Sequence, residues 1–402
     1  MAISSGALRS GAGRNLVIAH GGGPTAVINA SLAGVLREAR VTPGIRRVLA
    51  ARHGIEGVLR GDFMDLTEMN ETAITRLART PGSAIGTCRY KVSEADHAQI
   101  LSRLEAVGAS IFLYNGGNDS MDTAATLADM APDIQVVGIP KTIDNDLSGT
   151  DHSPGFPSAA RYIATSTAEL ALDVQALNIH VAVVEVLGRN AGWLTAAAGM
   201  ANHLYGIGPA FTLIPEVPVD VEDFLARIQS RWREAPGFVV AVGEGAVGPD
   251  GRVLVERADP SGADQFGHAV PGNVSHYLAE LISDRLGIRA RSEKPGLIGR
   301  ASQALVSPID REEAEAVGRN AVRAADAGET GVMVAITRHS SRPYRATYAQ
   351  TPLRDAANVE RLLPADFFDS TRLSITKHYL EYALPLLGDE HPDYFRLPGA
   401  GA

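Results

Sequence analysis

The sequence predicts an α/β fold of two doubly wound domains with mainly parallel sheets. Three observations carry this expectation. Short β-branched runs alternate with longer stretches of helical period, glycine-rich turns directly follow two of those runs, and 402 residues at roughly 150 per domain make two or three domains. Strands separated by helices connect through right-handed crossovers, which lay the strands parallel.

The first expected strand is Asn15–His20, followed at once by Gly21-Gly22-Gly23-Pro24-Thr25. Beyond the glycines, Ile28, Leu32, Val35 and Leu36 recur at i, i+4, i+7 and i+8, one face of a helix. The pattern repeats as a strand at Ser110–Tyr114, a turn from Asn115 to Ser120 and a helical stretch to Met130. Further strands are expected at Gln135–Ile139, Val181–Leu187, Phe211–Ile214, Phe238–Val242 and Val332–Thr337. From Gly272 onward, Val274, Tyr277, Leu278, Leu281, Ile282 and Leu286 form another helical stripe. Gly245–Gly272 reads as a loop or part of a domain junction.

Composition excludes several classes. The chain carries 37 basic and 46 acidic residues, a net charge of -9, so it is a poor non-specific binder of nucleic acid, which needs clustered Lys and Arg. With 45% hydrophobic and 21% charged residues it is globular, not disordered. Its one cysteine, Cys88, cannot form an internal disulfide, which fits a reducing compartment. Apolar runs such as Val181–Leu187 end well short of the roughly 20 residues of a membrane span. Met1–Arg14 has no apolar core of a signal peptide and reads as a flexible lead-in. A cytoplasmic protein that contacts no membrane is expected.

In open α/β sheets, ligands sit at the carboxyl ends of strands, where helix N-termini present free N–H groups. Glycine lets the backbone approach a phosphate closely. A tight turn before a helix would account for either glycine loop alone, but two on adjacent units favour a phosphorylated ligand. Neither loop matches GxGxxG or GxxxxGK[ST], which leaves a nicotinamide oxidoreductase or a P-loop enzyme without its fingerprint. A third segment, Gly138-Ile139-Pro140-Lys141-Thr142-Ile143-Asp144-Asn145-Asp146, also follows a strand. An Asx turn explains one aspartate there. It does not explain a lysine, a threonine and two aspartates in one short turn. Lysine can neutralise phosphate oxygens, and a placed carboxylate can take a hydroxyl proton.

These segments, with Glu185-Val186-Leu187-Gly188-Arg189 and Pro215-Glu216, occur in the order and spacing of the phosphofructokinase family. The resemblance covers roughly residues 14 to 345. It implies Mg2+-dependent phosphoryl transfer to the 1-hydroxyl of fructose 6-phosphate in a cleft between two domains. The donor domain would be 1–150 plus about 301–345, and the sugar-phosphate domain 151–300 plus about 346–402. Asp144 matches the family's general base, and Thr142 a hydroxyl that contacts substrate. Leu187, Gly188 and Arg189 match the segment holding the sugar and the transferring group, and Glu216 a carboxylate on sugar hydroxyls. Lys294 and Arg300 align with basic residues on the 6-phosphate, and Arg89 with an arginine on the donor. Gly22, Gly23 and Gly117 belong to the donor loops, and Lys141 joins Asp144 and Arg189 in catalysis. Taken alone, Glu216 could equally be a solvated strand-end residue, and Lys294 and Arg300 ordinary surface cations. His268 reads as structural.

Two positions bear on the donor. ATP-using members carry glycine where Asp119 stands, leaving room for the α-phosphate. A carboxylate there fills the space and sets like charges together, a repulsion of about 4 kcal/mol at about 4 Å and an effective dielectric near 20, or about a thousandfold in binding. Those members also carry a small residue in place of Lys141, whose charge suits a short, densely charged donor. The resemblance is therefore to pyrophosphate-dependent phosphofructokinases, which work reversibly. An ATP-dependent enzyme and a non-catalytic sugar-phosphate sensor are the alternatives.

The sequence departs from the family in three places. Asn118 replaces a common Mg2+-binding aspartate, which leaves Asp119 as the metal candidate. His180 replaces an arginine that reaches across a subunit interface, so a homodimer or homotetramer is expected from family habit alone. Ala301-Ser302-Gln303-Ala304-Leu305 replaces a glycine-rich segment, which makes sedoheptulose 7-phosphate a second acceptor to consider.

Overall fold

The computed structural model describes residues 13–255, 272–357 and 359–397. Most of the Gly245–Gly272 stretch, His268 and most of the N-terminal lead-in lie outside them. The strands of the two larger sheets are β1 (Arg14–His20), β2 (Ile45–Ala51), β3 (Phe63–Asp65), β4 (Ala109–Gly116), β5 (Gln135–Pro140), β6 (Val181–Val186), β7 (Pro209–Leu213), β8 (Phe238–Gly243), β9 (Ala290–Glu293), β10 (Val332–Ser341) and β11 (Tyr344–Pro352). The chain forms two compact units, one comprising the residues up to Phe156 with Ala301–Arg361, the other Pro157–Arg300 with the residues from Leu362 on.

The first unit holds a seven-stranded sheet in the order β11-β10-β5-β4-β1-β2-β3. Its five inner strands are parallel, and the two edge strands β3 and β11 run antiparallel. Side chains alternate along β1, with Leu16 and Ile18 in the core on one face and Val17 and Ala19 in the core on the other. Helix Ile28–Val41, which follows β1, adds Leu32 and Val35 to the first core. Helix Asn118–Met130, which follows β4, adds Met121 and Ala124 to the second. β1 and β4 are neighbours whose outgoing helices cover opposite faces. That is a topological switch point, and it opens a crevice at their carboxyl ends.

The second unit is a parallel sheet in the order β7-β8-β6-β9. Val181, Val183, Phe238, Val240 and Val242 face a core completed by helix Val274–Leu286 through Val274, Leu278 and Ile282. The expected strands and the helical stripe from Gly272 are present. β2, β3, β9 and β11 were not foreseen, because each is an edge or half-exposed strand whose polar residues break the apolar signal.

In the first unit, helices Ile28–Val41 and Pro308–Asp326 pack backbone against backbone at two glycines. A Cβ on Gly34 would lie 2.0 Å from the Glu315 carbonyl oxygen, and one on Gly318 would lie 2.1 Å from that of Ser31. Gly34→Ala must therefore push the helices apart. We expect a loss of about 1–3 kcal/mol, read as a lower denaturant midpoint for this unit. An unchanged midpoint would show that the pair has slack.

Candidate active site

Register fixes the first group of residues. His20 pairs with Asn115, Asn115 with Ile139 and Gly116 with Pro140, so β1, β4 and β5 end level and their three loops emerge side by side. The Gly21 N–H donates to the Asn115 carbonyl at 2.8 Å, and the Lys141 N–H to that of Gly116 at 3.0 Å. Gly22 has φ +72, a conformation that favours glycine, and its N–H donates to the Cys88 carbonyl at 3.0 Å. A bridge between Gly21 and Cys88 sets exposed Arg89 beside the same loop.

Lys141 is only 5% exposed, and its Nζ donates to the Gly23 carbonyl at 2.7 Å. A Cβ on Gly22 would lie 3.2 Å from that ammonium, a tight contact that glycine avoids. His20, fully buried, shares a 2.8 Å hydrogen bond between Nδ1 and Ser83 Oγ. Burial, and then the charge of Lys141, lower its pKa to about 3. The imidazole is neutral, and Lys141 is the positive group of this pair. Exposed Asp119 stands in the first turn of helix Asn118–Met130, where negative charge complements the helix dipole.

The Thr142–Asp146 segment caps no helix. The Thr142 N–H donates to the Pro154 carbonyl at 3.2 Å, and Thr142 Oγ1 accepts the Asp144 N–H at 3.0 Å, a local turn that presents half-buried Asp144. Asn145 takes φ +57 and accepts the Ser153 N–H on Oδ1 at 3.0 Å. Asn118 Nδ2 donates to Asp146 Oδ2 at 2.9 Å. Burial foremost, with the charge of Glu360 adding to it, raises the Asp146 carboxyl above its ordinary range.

The same loop is anchored beyond Asp146 by a buried network absent from the sequence reading. His152 Nδ1 meets Asp151 at 2.8 Å and its Nε2 meets Glu313 at 2.6 Å. Arg338 donates to Asp151 at 2.7 Å and the Tyr344 hydroxyl to Glu313 at 2.5 Å. No sequence signal marks His152, because Glu313, which meets its Nε2, and Arg338, which completes the network through the adjacent Asp151, lie more than 150 residues away along the chain.

In the second unit, Leu187, Gly188 and Arg189 leave the carboxyl end of β6. Gly188 has φ +125, and its N–H donates to Glu244 Oε1 at 3.3 Å. Burial above all, with Glu185 nearby, raises the Glu244 carboxyl, against the pull of Lys294 and Arg189. Buried Glu185 accepts the Ser275 N–H and hydroxyl on Oε2, both at 3.0 Å, and pairs through Oε1 with Lys294. Half-buried Glu216 accepts the Gly192 and Leu363 N–H groups on Oε1 at 2.8 and 2.9 Å, while its Oε2 has no hydrogen-bond partner. Arg300 lies half-buried on the short helix Leu297–Ala301.

The structure thus gathers Gly22, Gly23, Gly117 and Lys141 in one unit, and Leu187, Gly188, Arg189 and Lys294 in the other. Glu244 was missed, although a strand running straight into Glu244-Gly245 was a usable signal. His180 is buried, and its pKa is lowered by burial and by Arg291 and Arg289. Among the described residues no three His, Cys, Asp or Glu side chains cluster to hold a metal, and no helix is long and apolar enough to cross a membrane.

Level glycine loops with a buried lysine, at the switch point of a parallel sheet, define a phosphate-handling α/β protein. Residues 15–325 match the family described as Phosphofructokinase. A protein of Xanthomonas campestris pv. campestris named pyrophosphate--fructose 6-phosphate 1-phosphotransferase is 41% identical over 391 residues, covering 94% of this chain and 92% of that one. One of the same name from Methylococcus capsulatus is 38% identical, covering 95% and 94%. The crystal structure of the pyrophosphate-dependent phosphofructokinase of Marinobacter aquaeolei superposes with a TM-score of 0.85 at 36% identity, covering 95% of this chain and 94% of that one. The chain belongs to the phosphofructokinase family.

The His152 network makes stability depend on pH. Burial works against a charge on His152, but Glu313 and Asp151 outweigh it and hold the pKa raised to about 9. A raised folded-state pKa stabilises fully below the unfolded value of 6.5 and is lost as pH rises through 9. The melting temperature should therefore fall between pH 6.5 and 9. His152→Gln should melt lower at pH 6 and lose that slope. Parallel pH curves for the two proteins would contradict the assignment.

Proposed function

We propose that the chain transfers a phosphoryl group from pyrophosphate to the 1-hydroxyl of fructose 6-phosphate, reversibly, giving fructose 1,6-bisphosphate and phosphate. The observation that carries the choice of donor is the buried Lys141 ammonium bonded over the Gly21–Gly23 loop, with Asp119 at the head of the neighbouring helix. The names of the similar proteins point the same way.

Phosphoryl transfer asks the protein mainly for positioning and charge neutralisation. In this reading Gly22, Gly23 and Gly117 bring backbone close to the donor, and Lys141 and Arg89 answer its negative charge. Asp119 excludes a nucleoside by bulk and charge. Asp144 is the general base that takes the proton of the 1-hydroxyl, beside Thr142. Arg189 balances the group in transit, with Leu187 and Gly188 framing the sugar and Glu216 accepting from its hydroxyls. Lys294 and Arg300 hold the 6-phosphate. Because Glu185 already answers Lys294, part of that charge is spent inside the protein. A looser grip on the phosphate end follows, and with it acceptance of sedoheptulose 7-phosphate. Gln303 is engaged elsewhere, donating to the Ala26 carbonyl at 2.5 Å.

The residues present suit Mg2+. Asp119, Asp146 and Asn118 offer only hard oxygen ligands, and Oδ1 of both Asn118 and Asp146 is buried without a hydrogen-bond partner. Mg2+ is commonly held by one or two carboxylates together with substrate phosphates, so a full protein cage is not required. When bound it would neutralise charge on the phosphate oxygens. A homodimer or homotetramer is proposed from family habit.

The donor assignment has a direct test in variants. Asp119→Gly combined with Lys141→Gly should lower kcat/KM for pyrophosphate and raise it for ATP, shifting their ratio by about a thousandfold. An unchanged ratio would mean that neither side chain sets the donor.

A further inference from the structure

The Asp144-Asn145-Asp146 turn has an anchor that the reaction as described does not use. Asn145 is fully buried in a left-handed conformation, which asparagine tolerates at a cost only when its surroundings over-determine it. Its carbonyl must find donors inside the protein. Those donors belong to one residue far along the chain. Arg361 Nε and Nη2 lie 3.3 and 3.1 Å from the Asn145 carbonyl oxygen, and Nη1 lies 2.9 and 2.7 Å from those of Thr150 and Asp151. The Arg361 N–H donates to the Asp146 carbonyl at 2.8 Å, and Glu360 forms an antiparallel bridge with Leu147. A single half-buried guanidinium therefore ties both limbs of the loop together, with the turn itself pinned at consecutive carbonyls.

We propose that Arg361 is a positioning residue for phosphoryl transfer, holding the left-handed Asn145 turn so that Asp144 projects in its working direction. The inference rests on Asp144 being the general base. Only a planar fork can reach three carbonyls in this way, so lysine, a point charge on a flexible stem, cannot replace it. The residue touches no reacting atom; it acts through the backbone on either side of Asn145. A base is needed in the transition state and not for binding, so loss of the anchor should appear in kcat and leave KM for either substrate nearly unchanged.

The test compares Arg361→Ala, Arg361→Lys, Asp144→Asn and the double variants Asp144→Asn with each Arg361 change. Displacement of the base by about 1 Å predicts a kcat about 100-fold lower in Arg361→Ala. Arg361→Lys should recover little of this, whereas millimolar guanidinium added to Arg361→Ala should restore part of it. Asp144→Asn alone should lose about 100- to 10,000-fold, and removing Arg361 from that variant should cost almost nothing more. If Arg361→Ala keeps its kcat, or if its loss is as large with Asn at 144 as with Asp, the positioning role is overturned while the base stands. Should Arg361→Ala fail to fold, Arg361→Lys carries the same comparison. Full activity in Asp144→Asn would instead overturn the base assignment.

Discussion

A buried ammonium resting on the carbonyl of a glycine loop ties the loop after β5 to the loop after β1. Lys141 can lie there because β1, β4 and β5 end level and because Gly22 offers no side chain to displace it. Charge placed at 5% exposure is expensive unless it is paired or hydrogen-bonded. The Gly23 carbonyl supplies one bond, and the neutral state of His20 removes a competing positive charge. A carbonyl is a weaker acceptor for an ammonium than an anionic oxygen. In the function proposed above, a compact anion would be the stronger partner for this ammonium.

The second unit handles charge differently. Its lysine, Lys294, faces a buried carboxylate, Glu185, that is itself fixed by Ser275. Glu244 closes the same strand end from the other side, donating its N–H to the Val186 carbonyl while its carboxylate accepts from Gly188. Acidic groups thus hold the backbone turn after β6 and moderate the cations around it. In the first unit the buried cation rests on a backbone carbonyl, whereas in the second the cation faces a buried carboxylate.

The sequence made some of this legible for plain physical reasons. Parallel strands that read as unbroken apolar runs, β1, β4, β5, β6 and β8, were foreseen, whereas the parallel β2 was not, because Arg46 and Arg47 interrupt its run. The edge strands were not, because β11 alternates half-buried and exposed residues and β3 spans only three positions. Glycine loops after strands located the donor side, since a strand–turn–helix unit is local in the chain. The anchors of the Thr142–Asp146 loop escaped notice because they are not local: Arg361 and Glu313 reach it from positions more than 150 residues distant. Lys294 was readable as a cation, but its pairing with Glu185, 109 positions earlier, was not. What a residue is can be read from the chain; what it faces depends on the fold.

In the function proposed, Lys141 and Asp119 together admit a bare diphosphate and turn away a nucleotide. Initial rates of fructose 1,6-bisphosphate formation, measured with the unmodified protein, Mg2+ and fructose 6-phosphate, test it most directly. Pyrophosphate should support turnover at concentrations where ATP supports almost none. A faster reaction with ATP would show that Lys141 and Asp119 do not select the donor.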